Sequence, residues 1–137
     1  MSLDLARQSI VTAVEAAKVG CPGGVPLIEY DNRTIVDTQT ATLPFVNLEI
    51  HFISGEQADL SNAPRHRYIG QIHIMAAAKI GEGVAAQLKI LNHFTVQLQR
   101  KQFGSVRTKM STMAPKMPYN GWLYYPAVIP FWYDVID

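Results

Sequence analysis

The chain has 137 residues, of which 48% are hydrophobic and 17% charged, and twelve Lys and Arg stand against eleven Asp and Glu. That balance fits one globular domain spanning 1–137, and it excludes a disordered tail or a protein drawn to polyanions by net charge. One cysteine, Cys21, excludes an internal disulfide framework and a multi-cysteine zinc site. No apolar stretch approaches the roughly 18–20 residues needed to span a bilayer. Met1-Ser2-Leu3-Asp4 places an acid where a signal peptide carries bases. The expectation is a soluble, intracellular single domain with no membrane partner.

In chain order, Leu3, Ala6, Ile10, Ala13, Val14 and Ala17 recur at helical spacing and predict a helix over Leu3–Lys18, with Ser2 as N-cap. Gly20-Cys21-Pro22-Gly23-Gly24-Val25-Pro26 reads as a loop, Leu27–Tyr30 as a short strand, and Asp31-Asn32 as a turn. Val46, Leu48, Ile50 and Phe52 alternate with Asn47, Glu49 and His51, the period of a strand buried on one face. Ser54–Pro64 is polar and reads as an extended hairpin loop, with a partner strand over His66–Ala76. After Gly81 and Gly83, a second helix is predicted with Val84, Leu88, Leu91, Thr95 and Leu98 as its stripe, supported by Ile90 and Phe94.

The last third reads as a second hairpin. Val106, Thr108, Met110 and Thr112 alternate with bases and Ser111, a turn follows around Pro115–Gly121, and Trp122–Ile136 is rich in aromatic and β-branched residues. Pro126 and Pro130 each remove a ladder donor, so they predict an edge strand, a bulge or a break. The fold class is α+β: a mostly antiparallel β-sheet with two helices packed on one face, in the order α-β-β-β-α-β-β.

Charge is unevenly placed. Between Gly83 and Tyr133 there is no acid, while Lys89, Arg100, Lys101, Arg107, Lys109 and Lys116 lie there. Residues 1–82 carry nine acids and six bases. The choice is between chance distribution over solvated faces and a molecule with oppositely charged sides, suited to head-to-tail self-association or to a polyanionic partner.

The search for chemistry finds little. Glu49, His51 and His73 would form a metal triad if paired strands brought them together, but no signature spacing supports it. The predicted metal set and cofactor set are therefore none. Cys21 has no neighbouring base, no Gly-x-Ser-x-Gly elbow exists, and Glu82 blocks the approach of an anion to Gly81 and Gly83. Arg107, Lys109 and Lys116 near the aromatic C-terminal strand form a weak case for a single-stranded nucleic-acid platform. No residue set supports an enzyme.

Several ordered segments carry a resemblance: Pro26-Leu27-Ile28-Glu29-Tyr30-Asp31-Asn32, Leu43-Pro44-Phe45-Val46, Gly55-Glu56-Gln57-Ala58, Arg67-Tyr68-Ile69-Gly70, Gly81-Glu82-Gly83 and Gly121-Trp122-Leu123-Tyr124-Tyr125-Pro126-Ala127-Val128. With the N-terminal helix, they run through nearly the whole chain, which resembles the tail-terminator (minor tail) proteins of long-tailed phages and prophages. Met75-Ala76-Ala77-Ala78 departs from the proline-containing exit common in that family. The resemblance implies a homo-hexamer ring that caps the tail tube, ends its polymerisation and offers a docking face to the head. Its implied partners are further copies of itself, the tail tube protein and head–tail connector proteins, with DNA only passing through the channel. Its implied location is the virion tail, assembled in the host bacterial cytoplasm. The alternatives are a single-stranded nucleic-acid-binding domain and a small metal-dependent enzyme. The residues expected at a subunit or tube interface are Glu49, Glu56, Asp59, Arg65, Arg67, Arg100, Lys101, Arg107 and Lys109.

Overall fold

The computed structural model describes the backbone of residues 3–24, 26–30, 44–57, 65–81 and 84–136, and the side chains of all of these except 54–57, 65, 135 and 136. Ser2, Asp31, Asn32, Asp59, Glu82 and Gly83 lie outside the described residues. Helix α1 (Leu3–Lys18) buries Ala6, Ile10, Val14 and Ala17, the stripe its periodicity predicts, with Asp4 in its first turn. Leu3, expected in that stripe, is exposed at the free end. His93 donates from Nε2 to the carbonyl of Ala17 at 2.7 Å, which satisfies one of the last-turn oxygens of α1.

Strands β1 (Ile28–Tyr30), β2 (Phe45–Gln57) and β3 (Arg65–Lys79) precede helix α2 (Ala85–Leu98). The second half holds β4 (Gln102–Phe103), β5 (Val106–Thr108), β6 (Thr112–Met113), β7 (Met117–Tyr119) and β8 (Trp122–Ile136). Among the described residues these form one sheet in the order β1-β2-β3-β8-β5-β4, with β6 and β7 also paired to β8. Only β1 runs parallel to its neighbour. The fold is α+β, and the expected single strand after α2 is instead divided into β4–β7.

The core lies between the helices and one sheet face. Val46, Leu48 and Ile50 of β2 meet Ile72, Ile74 and Ala76 of β3 and Ala127, Ile129, Phe131 and Tyr133 of β8, under Ile10, Val14, Leu91 and Phe94. Phe52, expected with them, is 37% exposed at the far end of β2. The stripe of α2 also differs from expectation, since Leu88 is exposed and Gln87 is fully buried. Residues 87, 91, 94 and 98 share one helical face, and 88 lies one step round from it. Gln87 is tolerated there because its Nε2 donates to the carbonyls of Ala76 (2.6 Å) and Leu123 (2.5 Å), tying α2 to β3 and β8. Thr108 does the same for β5. Its Oγ1 donates to Leu98 O at 2.5 Å and accepts from Lys101 N at 2.8 Å.

Two sequence expectations about strands need correction. Ser54–Pro64 is not all loop, because β2 continues to Gln57 and pairs as far as Gln57↔His66. The register shifts between Phe52 and Ser54, leaving Ile53 as the extra residue of a bulge, and backbone pairing then continues to Gln57↔His66. The second correction is that β8 is central rather than an edge. It pairs with β3 along its whole length, Lys79↔Trp122 to Arg65↔Ile136. Its prolines are accommodated on the opposite flank. Lys109 N donates to Pro130 O at 2.8 Å and Ala114 N to Pro126 O at 3.1 Å, so both prolines turn their hydrogen-bonding edge toward β5–β7. That flank is interrupted where the donors are missing. β5 stops at Thr108↔Phe131, β6 resumes at Thr112↔Val128 and ends at Met113↔Ala127, and β7 begins at Met117↔Tyr124. The break predicted from the prolines falls in the neighbouring strand. Asn120 and Gly121, with φ of 50° and 82°, then make the two-residue β7–β8 turn between Tyr119 and Trp122.

Candidate functional site

Side chains alternate across a sheet, so the face turned from the helices carries the odd residues of β2 up to its bulge, the odd residues of β3 and the even residues of β8. One end of that face is closed by aromatics. Phe45, Ala77 and Trp122 are buried with Tyr124 against them, and the Phe45 and Trp122 rings meet edge to face at 5.0 Å. The sequence signal was the run of apolar residues at both parities, Phe45-Val46 and Ala76-Ala77-Ala78, which marks a strand end buried on both faces.

The rest of the face mixes apolar residues, among them Ile69, Met75, Val128 and Pro130, with polar ones that are graded in charge. On the β1–β2 side stand Glu29, which accepts from Asn47 Nδ2 at 3.2 Å, and Glu49, 3.0 Å from His51 Nε2. In the middle, the His51 and His73 rings lie 4.4 Å apart across the β2–β3 pair, and His73 Nε2 meets Gln71 Oε1 at 3.0 Å. Burial pushes the His73 imidazole below its ordinary value, helped by nearby His51 and opposed by Glu49. Glu49, His51 and His73 therefore do share one surface. Among the described residues, no group of three or more His, Cys, Asp or Glu is arranged to hold a metal ion.

Toward β5 the face turns basic. Arg67 Nε and Nη2 donate to the two oxygens of Asp134 at 2.9 and 3.2 Å. The Arg67 guanidinium carbon lies 4.3 Å from the centroid of the Trp132 ring, and that of Arg107 lies 5.1 Å from it. Arg100 N donates to Lys109 O at 3.2 Å, which joins the exposed Arg100–Lys101 turn to the segment carrying Arg107 and Lys109. Of the expected interface residues, Arg67, Arg100, Lys101, Arg107 and Lys109 thus gather at one flank, and Glu49 stands toward the other. Glu56 and Arg65 are placed by backbone only, in β2 and β3, and Asp59 lies outside the described residues.

The aromatics of β8 do not form a stacking row. Trp122, Phe131 and Tyr133 are buried, which leaves Trp132 as the ring set among the bases. Trp132 is the candidate site residue that sequence reasoning did not separate from its neighbours. Its even position in a strand whose odd residues are core was the available signal. Cys21 is buried, which pushes its thiol up and makes it a poor nucleophile. On the helix side, a groove of about 680 Å³ runs along α1, lined by Leu5, Ala13, Ala16, Gln97 and Phe103, and no charged side chain lines it. No helix among the described residues is long and apolar enough to cross a membrane.

No protein-family model matches the chain, and no curated protein is similar to it. A solved structure of a protein without a functional name is similar in fold, with a TM-score of 0.69 at 13% identity, covering 100% of this chain and 96% of that one. At that identity the likeness shows the architecture alone.

Proposed function

We propose that this chain is a structural protein of a long-tailed phage or prophage, a tail terminator that assembles as a homo-hexamer ring. On this reading the ring caps the tail tube, ends its polymerisation and presents a docking face to head–tail connector proteins. It acts in the virion tail after assembly in the host bacterial cytoplasm, and it catalyses no reaction. DNA passes through the channel without being held. The ordered segments from Pro26 to Val128 support the family, and the α+β architecture is compatible with it.

One observation carries the reading: acid stands toward one edge of the sheet and a group of bases toward the other. Glu29 and Glu49 lie on the β1–β2 side, while Arg100, Lys101, Arg107 and Lys109 lie at the β4–β5 side. A cyclic ring needs heterologous contacts, in which one patch meets a different, complementary patch on the next copy. A molecule with the two patches at opposite edges of its sheet supplies that pair. A strongly basic lumen would instead hold DNA through counterion release, so the bases are assigned to a protein contact.

Paired charge reversal tests the assignment. Arg107→Glu alone is expected to lower the oligomer mass measured by light scattering, and Arg107→Glu with Glu49→Arg to restore it. Unchanged mass and unchanged salt dependence in the single variant would remove this flank from the subunit contact.

A further inference from the structure

The cleft around Trp132 has a chemistry more specific than a basic flank, and its assignment stands without the ring. Register places Arg107 directly across from Trp132 on β5, and Arg67 across from Asp134 on β3. Two guanidinium groups therefore reach one indole from the two strands that flank β8. Trp132 is half-buried, so the ring is a fixed platform. Stacking orients a planar guanidinium and leaves its in-plane N–H donors pointing outward, which a flexible ammonium cannot do.

The two arginines differ in what those donors do. Arg67 holds Asp134 with two parallel N–H···O bonds, the fork geometry that guanidinium and carboxylate share. Arg107 is exposed, contacts the indole, and has no ion pair or hydrogen bond among the described residues. Both line a cleft of about 280 Å³ together with Trp132, Asp134, Gln102 and Ser105. Among the described residues, Arg107 is thus the guanidinium of the cleft whose N–H donors meet no carboxylate.

We propose that this cleft is a carboxylate-binding site: Arg107, oriented on Trp132, receives a Glu or Asp side chain from an acidic peptide segment of a partner protein. The chemistry favours a carboxylate over a nucleic-acid strand on two grounds. Asp134 within the cleft repels a polyphosphate, whereas a single carboxylate matches the single unpaired guanidinium. The indole already carries guanidinium groups, so a base would have to displace one before it could stack. The bound carboxylate would repeat with Arg107 the arrangement that Asp134 makes with Arg67.

The full chain is titrated with a blocked hexaglutamate peptide while tryptophan emission is followed. Of the two tryptophans, Trp122 is 1% exposed, so a change at the surface reports Trp132. The expected result is a saturable change in emission, with affinity falling about tenfold in Arg107→Gln through loss of the fork. Lys89→Gln, an exposed base on α2, is expected to bind the peptide as the parent does. Arg107 is itself exposed, and unchanged circular dichroism shows the variant folded. Absence of saturable binding to the parent would overturn the proposal. So would equal losses in the two variants, or tighter binding of a hexathymidylate than of the peptide.

Discussion

The two faces of the sheet ask different things of the same strands. On the helix-covered face, each side chain is fixed by volume. Val46, Leu48, Ile72, Ile74, Ile129 and Phe131 leave essentially no surface to water. On the open face the neighbours of these residues are Asn47, Glu49, His73 and Trp132, held by hydrogen bonds, ring contacts and charge. A substitution on the first face is therefore read as a loss of stability. On the second, it is read as a change in surface chemistry with a small effect on stability.

The largest effect that sharpens this contrast is Leu48→Ala. Leu48 is fully buried, and its truncation removes apolar contact and leaves a cavity, costing about 2–5 kcal/mol in denaturant unfolding. A loss near zero would break the assignment of that face as the core. Gly70→Ala comes next. A Cβ at this position would lie 2.4 Å from Phe131 Cζ and 2.5 Å from the backbone oxygen of His51, so the strand or the ring must move. The expected cost is about 1–3 kcal/mol, with the Phe52–Phe131 edge-to-face contact disturbed. A neutral substitution would mean that the β2 bulge yields more than its pairing implies.

The smallest effect belongs to the open face. His73 takes its proton at lower pH in the folded chain than in the unfolded one, chiefly because of burial. The unfolded chain then binds more protons as pH falls below about 6.5, so stability present above that pH declines on acidification. His73→Gln should flatten the decline between about pH 7 and 5 in melts followed by circular dichroism. A decline of the same slope in the variant would place its origin in other groups.

What could be read from the sequence divides along the same line. Helix α1 and the alternation of Val46, Leu48 and Ile50 were legible because one-sided burial imposes a period on the sequence. The same alternation placed Glu49, His51 and His73 on one surface. In α2 the burial of Ile90, Leu91, Phe94, Thr95 and Leu98 was legible, but Leu88 was read in place of Gln87, which looks polar until the carbonyls of Ala76 and Leu123 are seen above it. The position of β8 was misread because prolines forbid donation on one flank only, and which neighbour lies on that flank is decided by topology. The Arg67–Trp132–Arg107 cleft depends on the register of three strands distant in sequence, and no local pattern encodes that register.

The proposed ring makes the separated charges of the sheet's two edges an assembly surface. Light scattering on the purified chain at two salt concentrations, with negative-stain images of the same sample, tests it most directly. Closed rings are expected, with a mass six times the 15.2 kDa of the chain, losing mass as salt rises. A monomer at micromolar concentration and low salt, with no rings in the images, would contradict it.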